Sequence, residues 1–222
     1  MDIASRGKEV IRLIFGMGIS QFIFLLLMPV LTRLFSPEDI GALGTYLTLV
    51  AVLVIFLTGR YEMALVFCKD QRLAFALERL SVLRCYSVSI IASVIIFVIF
   101  LSCPSAKEFI VSSNLCFVVF GALILGRYNI ALQVVLRNSH YKAISAARVF
   151  HSVVFGVTAI VAALSLLPNM MMLFLSDAMA RVVSLYTLSK KSVRSTIPIS
   201  EIRTARVRYA RFSNFEQMTA LL

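Results

Sequence analysis

Six long apolar runs, separated by short polar breaks, organise this 222-residue chain. They cover about residues 10–31, 40–58, 83–103, 114–136, 143–167 and 169–189. Each is about 19–25 residues long, the length a helix needs to cross a hydrocarbon layer of about 30 Å. An isolated strand in lipid would leave its backbone groups unpaired, so every run predicts a helix. The expected fold class is an all-α membrane protein whose six transmembrane helices form one bundle. Residues 1–9 form a short N-terminal segment, and 190–222 form a basic tail. The first run is too long for a signal-peptide core and no small-x-small cleavage site follows it, so it reads as a retained span.

The breaks carry their own signals. In Ser36-Pro37-Glu38-Asp39, Ser36 fits a helix N-cap, Pro37 the first helical position and Asp39 the third. Asn114 and Asn169 stand at the starts of the fourth and sixth runs, with Pro168 just before the latter, and Pro29 should kink the first. Gly41, Gly44, Gly121, Gly126, Ala146, Ala147, Ala159, Ala162 and Ala163 predict close helix packing. Between Gly59 and Val82, Leu73, Phe75, Leu77 and Leu80 mix with Lys69, Arg72, Glu78 and Arg79. Two arrangements fit: an amphipathic helix lying in the membrane interface, or a helical linker that continues the third span.

Composition agrees with a membrane protein. Hydrophobic residues make up 60% of the chain and charged residues 15%, and mean hydropathy is +0.92. The net charge of +11 would suggest nucleic acid in a soluble protein. Here its distribution gives a different reading. Of the 22 Lys and Arg, only Arg33 and Lys107 fall on the side opposite the termini, and Arg127, Arg148 and Arg181 fall inside runs. Such asymmetry places both termini in the cytoplasm and leaves no charge excess that requires nucleic acid. In the tail, the stretch 207–212 has the mixed basic and apolar character that meets anionic headgroups.

Ionisable groups within spans are costly and mark function by default. Arg127 lies in the fourth run, Arg148 and His151 in the fifth, Asp177 and Arg181 in the sixth. At 1.5 Å per residue, Arg148 lies roughly 8 Å and His151 roughly 12 Å past Ala143, with Arg127 and Arg181 near the midplane. Asp177 and Arg181 are four apart and can pair. Three Arg against one Asp leaves positive charge in the apolar slab. Asn129 and Gln133 add amides on one stripe of the fourth run. A lining of Arg127, Asn129, Gln133, Arg148 and Arg181 suits a phosphate or an acidic sugar. Cys68, Cys85, Cys103 and Cys116 form no CxxC and sit near no His at ligand spacing, so neither a metal nor a disulfide is expected. There is no GxxxxGK[ST], HExxH or GxSxG, which argues against an ATPase or a hydrolase and against a cofactor.

Three stretches carry a resemblance. The first is Met28-Pro29-Val30-Leu31-Thr32-Arg33-Leu34-Phe35-Ser36-Pro37-Glu38-Asp39-Ile40-Gly41; the second is Gly59-Arg60-Tyr61-Glu62-Met63-Ala64-Leu65; the third runs from Leu136 to Val149. In this order they resemble the polysaccharide-transporter family, the O-antigen (Wzx-like) flippases, with Arg33, Pro37, Gly41, Arg60, Glu62 and Arg148 on family positions. The resemblance implies a flippase-type transporter rather than an enzyme. Its substrate would be an undecaprenyl-diphosphate-linked oligosaccharide, moved from the cytoplasmic to the periplasmic leaflet of the bacterial inner membrane with ion coupling, for which Asp177 and Glu62 are the candidate proton carriers. Membrane lipids and the polysaccharide polymerase and chain-length machinery are the other partners it implies. The family has about twelve or more spans in two halves, so this chain resembles the N-terminal half, or N-lobe. A non-transporting membrane scaffold or subunit, or a small-cation exporter of the same superfamily, are the alternative readings.

Overall fold

A computed structural model describes residues 3–68, 70–102, 115–165, 169–190 and 199–221. Among these the chain is helical throughout: α1 (Ile3–Leu34), α2 (Pro37–Thr58), α3 (Tyr61–Phe67), α4 (Gln71–Ser102), α5 (Leu115–Arg137), α6 (Tyr141–Ser165), α7 (Met170–Ser189) and α8 (Ile199–Leu221). Six of them, α1, α2 and α4–α7, are long and apolar enough to cross a membrane. The chain is therefore an all-α, multi-pass membrane protein. Lys69, Cys103, Lys107, Asn114, Leu167, Pro168, Lys191 and Arg194 lie outside the described residues.

Local chemistry sets several helix ends. The Asp39 N–H donates to Ser36 Oγ at 3.2 Å, and the Ser36 hydroxyl donates to Asp39 Oδ2 at 2.8 Å. This reciprocal cap starts α2, with Pro37 at a position whose missing N–H is not needed. Helix α1 runs unbroken through Pro29, and Thr32 Oγ1 donates to the Pro29 carbonyl at 3.1 Å. Between α2 and α3, Gly59 (φ 63°) and Arg60 (φ 59°) are both left-handed. For arginine that conformation costs roughly 1–2 kcal/mol. Ser139 (φ 57°) makes a similar reversal between α5 and α6. The three stretches that carry the family resemblance thus surround three helix-to-helix turns.

The third span starts earlier than its apolar run. Helix α4 begins at Gln71, not near Leu83, so the second part of the connection is helix that continues the span, while α3 occupies the first part. Ala74, Ala76, Leu77 and Ser81 in this extension are buried, and this helix packs against α3 and α8. Periodicity alone does not separate that arrangement from an interfacial helix, because a protein partner and a lipid surface both cover an apolar stripe.

The chain forms two compact units. One comprises residues 1–46 and 134–193, the other 47–133 and 194–222. In the first, α1 and α6 run in the same direction, as two odd-numbered spans must. Gly16 meets Ser145, Ser20 Oγ lies 2.7 Å from Ser152 Oγ, Phe24 stacks on Phe155 at 5.9 Å, and Leu27 covers Gly156. Helix α7 lies antiparallel to α6, with Ser184 Oγ 2.9 Å from the Ala147 carbonyl and 2.8 Å from that of Ala180. Small residues bring these helix backbones together, the usual packing currency inside lipid. In the second unit, Gly126 of α5 packs against Cys85 of α4 and against Val54 and Thr58 of α2. Gly41 and Gly44 have open space where a Cβ would stand, so those two do not serve the close packing expected of them.

Candidate functional site

The candidate charged and amide side chains divide into two sets, one per unit. In the first unit, Asp177 on α7 is 3% exposed. Its Oδ2 accepts from Arg181 Nε at 2.7 Å, so the pair expected from their spacing forms. His151 of α6 brings Nε2 to 3.6 Å from Asp177 Oδ1, beyond hydrogen-bond reach, and that nitrogen is buried with no hydrogen-bond partner. One turn back on α6, Arg148 also buries an Nε without a partner. Its carbonyl accepts from Ser20 Oγ at 3.0 Å, which fixes its turn against α1. Tyr46 stacks on Phe174, three residues before Asp177, at 4.4 Å between ring centroids. Because α6 begins at Tyr141, Arg148 and His151 lie about 10 and 15 Å from its start, each about 3 Å deeper than a start at Ala143 would give.

Charge in this set does not cancel. Asp177 neutralises Arg181, and Arg148 has no ion-pair partner among the described residues. A half-buried guanidinium with an unpaired nitrogen at this depth is stabilised by an anion or by water. The arrangement is suited to hold a phosphate or carboxylate.

The second unit holds Glu62, Arg60, Arg127, Asn129 and Gln133. Arg127 lies 5.5 Å from the ring centroid of Tyr86, a cation–π contact in place of a carboxylate. Gln133 Nε2 donates to Met63 Sδ at 3.5 Å, tying α5 to α3. Asn129 is half-buried. Residues 127, 129 and 133 therefore belong to one unit and 148 and 181 to the other, which the sequence did not indicate. Arg33 closes α1 at an exposed position, and Pro37 opens α2. Nothing in the structure explains a requirement for glycine at 41.

Glu62, in the first turn of α3 and outside the spans, is 2% exposed. Its Oε1 lies 2.9 Å from Thr58 Oγ1, while Oε2 is buried without a hydrogen-bond partner. Burial pushes the carboxyl pKa up, against the lowering effects of its backbone and Thr58 hydrogen bonds and of the Arg60 and Arg84 charges. Proton counting points the same way. Thr58 has one hydroxyl hydrogen but two acceptors, Glu62 Oε1 and the Val54 carbonyl at 3.0 Å. A protonated Glu62 donates to Thr58, which then donates to Val54, and both contacts become hydrogen bonds. Arg84 lies over the Tyr61 ring at 5.4 Å, and a Cβ on Gly59 would collide with its guanidinium. Thr58, Tyr61 and Arg84 escaped the sequence reading as members of a site. The four-residue spacing of Thr58 and Glu62 across a turn was the available signal for one of them.

A pH dependence follows. The folded-state pKa of Glu62 is raised, so the native state holds its proton longer than the unfolded chain. Stability from this group is complete below the ordinary value of 4.5 and is lost as pH rises through the folded-state pKa. Glu62→Gln keeps the neutral shape and removes that slope. Melting curves at pH 5 and pH 8 should show the natural protein losing stability relative to Glu62→Gln. Parallel curves would mean that Glu62 titrates normally.

A family model described as polysaccharide biosynthesis protein matches residues 30–213. That stretch runs from α1 into α8 and takes in both sets of buried charges. No curated protein and no solved structure matches the chain.

Proposed function

The chain belongs to the polysaccharide biosynthesis protein family, and from that premise we propose that it forms one lobe of a flippase for undecaprenyl-diphosphate-linked polysaccharide repeat units. Translocation runs from the cytoplasmic to the periplasmic leaflet of the inner membrane, with both termini cytoplasmic and movement coupled to an ion. The observation that carries this reading is positive charge without counter-charge inside the spans. Arg127 and Arg148 have no ion-pair partner among the described residues. A diphosphate or acidic sugar supplies what each lacks, and bidentate geometry favours arginine for the purpose. Asp177 is held by Arg181, which weighs against a small-cation exporter, since such a protein needs a free carboxylate in the membrane. It also leaves Glu62, with its unpartnered Oε2, as the stronger of the two proposed proton carriers.

Complementation of a flippase-deficient strain with the natural gene tests the reading. Arg127→Glu and Arg148→Glu are each expected to cut surface polysaccharide at least tenfold while the protein reaches the membrane at its normal level. These two are cleaner than Arg181, whose reversal would place two acids side by side at Asp177. Full polysaccharide from both variants would sink the flippase reading. If substitutions at Glu62 then abolished it, a non-transporting subunit would be the better description.

A further inference from the structure

We propose that the groove between α1 and α6 binds one anionic phospholipid, headgroup at the rim and acyl chain along the wall. The groove lies within the first unit and has a volume of about 570 Å³. Arg12 and Lys142 line it together with Phe15, Ile19, Val149 and Phe150. Its polarity is graded along the membrane normal. Arg12 stands at the start of the apolar run of α1, three residues after Glu9, and Lys142 is the second residue of α6. The two helices enter in parallel, so both cations stand at one rim, at headgroup depth. Phe15 and Ile19 follow one and two turns deeper on α1, and Val149 and Phe150 about two turns deeper on α6. Two turns correspond to roughly 11 Å.

Among the described residues, neither cation has an ion-pair partner and none that lines the groove is acidic. Two unpaired cations above an apolar trough match a ligand with a phosphate at one end and a hydrocarbon tail. A soluble anion uses the rim and leaves the trough empty; a neutral lipid uses the trough and leaves the cations unpaired. The floor is rigid. Gly16 is packed directly on Ser145, and Ser145 Oγ donates to the Arg12 carbonyl at 3.3 Å. The Arg12 backbone is thereby anchored across the groove from Lys142, which preorganises the rim.

Native mass spectrometry of the full-length protein, released from detergent after incubation with lipid, tests this. Phosphatidylglycerol should be retained roughly tenfold or more over phosphatidylcholine of the same chains, since each of the two basic residues near a headgroup contributes about fivefold in affinity. Arg12→Gln with Lys142→Gln should erase the difference. Ala146→Phe, which fills the groove and keeps both cations, should lower phosphatidylglycerol retention. Equal retention of the two lipids by the natural protein overturns the proposal without reference to any variant. So does inorganic phosphate that displaces the lipid while Ala146→Phe has no effect, which would leave an anion site alone. Retention of a polyprenyl phosphate but not of phosphatidylglycerol would assign the groove to a transported carrier, and the proposal would fall.

Discussion

Replacing Asp177 by alanine is expected to destabilise the protein by about 3–5 kcal/mol, more than any other single substitution considered. The carboxylate is 3% exposed and its Oδ2 holds Arg181 Nε at 2.7 Å. Truncation leaves the guanidinium, 14% exposed, without a counter-charge. Losing one partner of a buried pair costs this much because the remaining charge has already been desolvated. The pair itself is worth far less than that loss, since its attraction mostly offsets the burial of two ions. Asp177→Ala combined with Arg181→Met should therefore recover most of the stability, to within about 1 kcal/mol of the natural protein. Thermal unfolding in detergent separates the cases. A double variant no better than Asp177→Ala alone would mean that Asp177 acts through another contact, with His151 the next candidate at 3.6 Å.

The second large effect is expected at Gly16. Alanine in place of a helical glycine ordinarily gains up to about 1 kcal/mol. At Gly16 the added Cβ would overlap the Ser145 side chain and stand 3.1 Å from the Ser145 Cα. The side chain can turn, but the Cα belongs to the α6 backbone, so the helices must part. Overpacking of this kind costs about 1–3 kcal/mol and outweighs the propensity gain. Gly18, two residues away on the same helix, has nothing within 4 Å, and Gly18→Ala should be neutral or stabilising. Gly16→Leu should lower the melting temperature more than Gly16→Ala does, and Ser145→Gly should partly rescue Gly16→Ala but not Gly16→Leu. If Gly16→Ala and Gly18→Ala behaved alike, α1 and α6 would not be packed as closely as described.

Several features were legible in the chain because they depend on neighbours a few residues apart. Length and hydrophobicity define a span whatever it packs against. The Ser36–Asp39 cap and the Asp177–Arg181 pair connect residues three and four apart, and helix geometry brings such residues together unaided. The match over residues 30–213 accords with the resemblance carried by the three turn stretches. Small residues were only half legible. Gly16 and Gly156 sit in tight contacts while Gly41 and Gly44 face open space. All four look alike in sequence, since a glycine says that close approach is permitted and not whether a partner arrives.

Fold class, the number of candidate spans and the unbalanced positive charge within them are all legible in the order of the amino acids. Each follows from the transfer energetics of a segment considered alone. Tertiary structure decided which charges are already satisfied. It set Asp177 against Arg181 and near His151, left Arg148 with an unpaired nitrogen, and buried Glu62 beside Thr58. It also separated residues 127, 129 and 133 from 148 and 181 into two units, and placed the extension of α4 against α3 and α8. Those outcomes depend on contacts between residues far apart in the chain. Local periodicity carries no record of them, because an apolar or charged face has the same sequence pattern whether lipid, protein or substrate covers it.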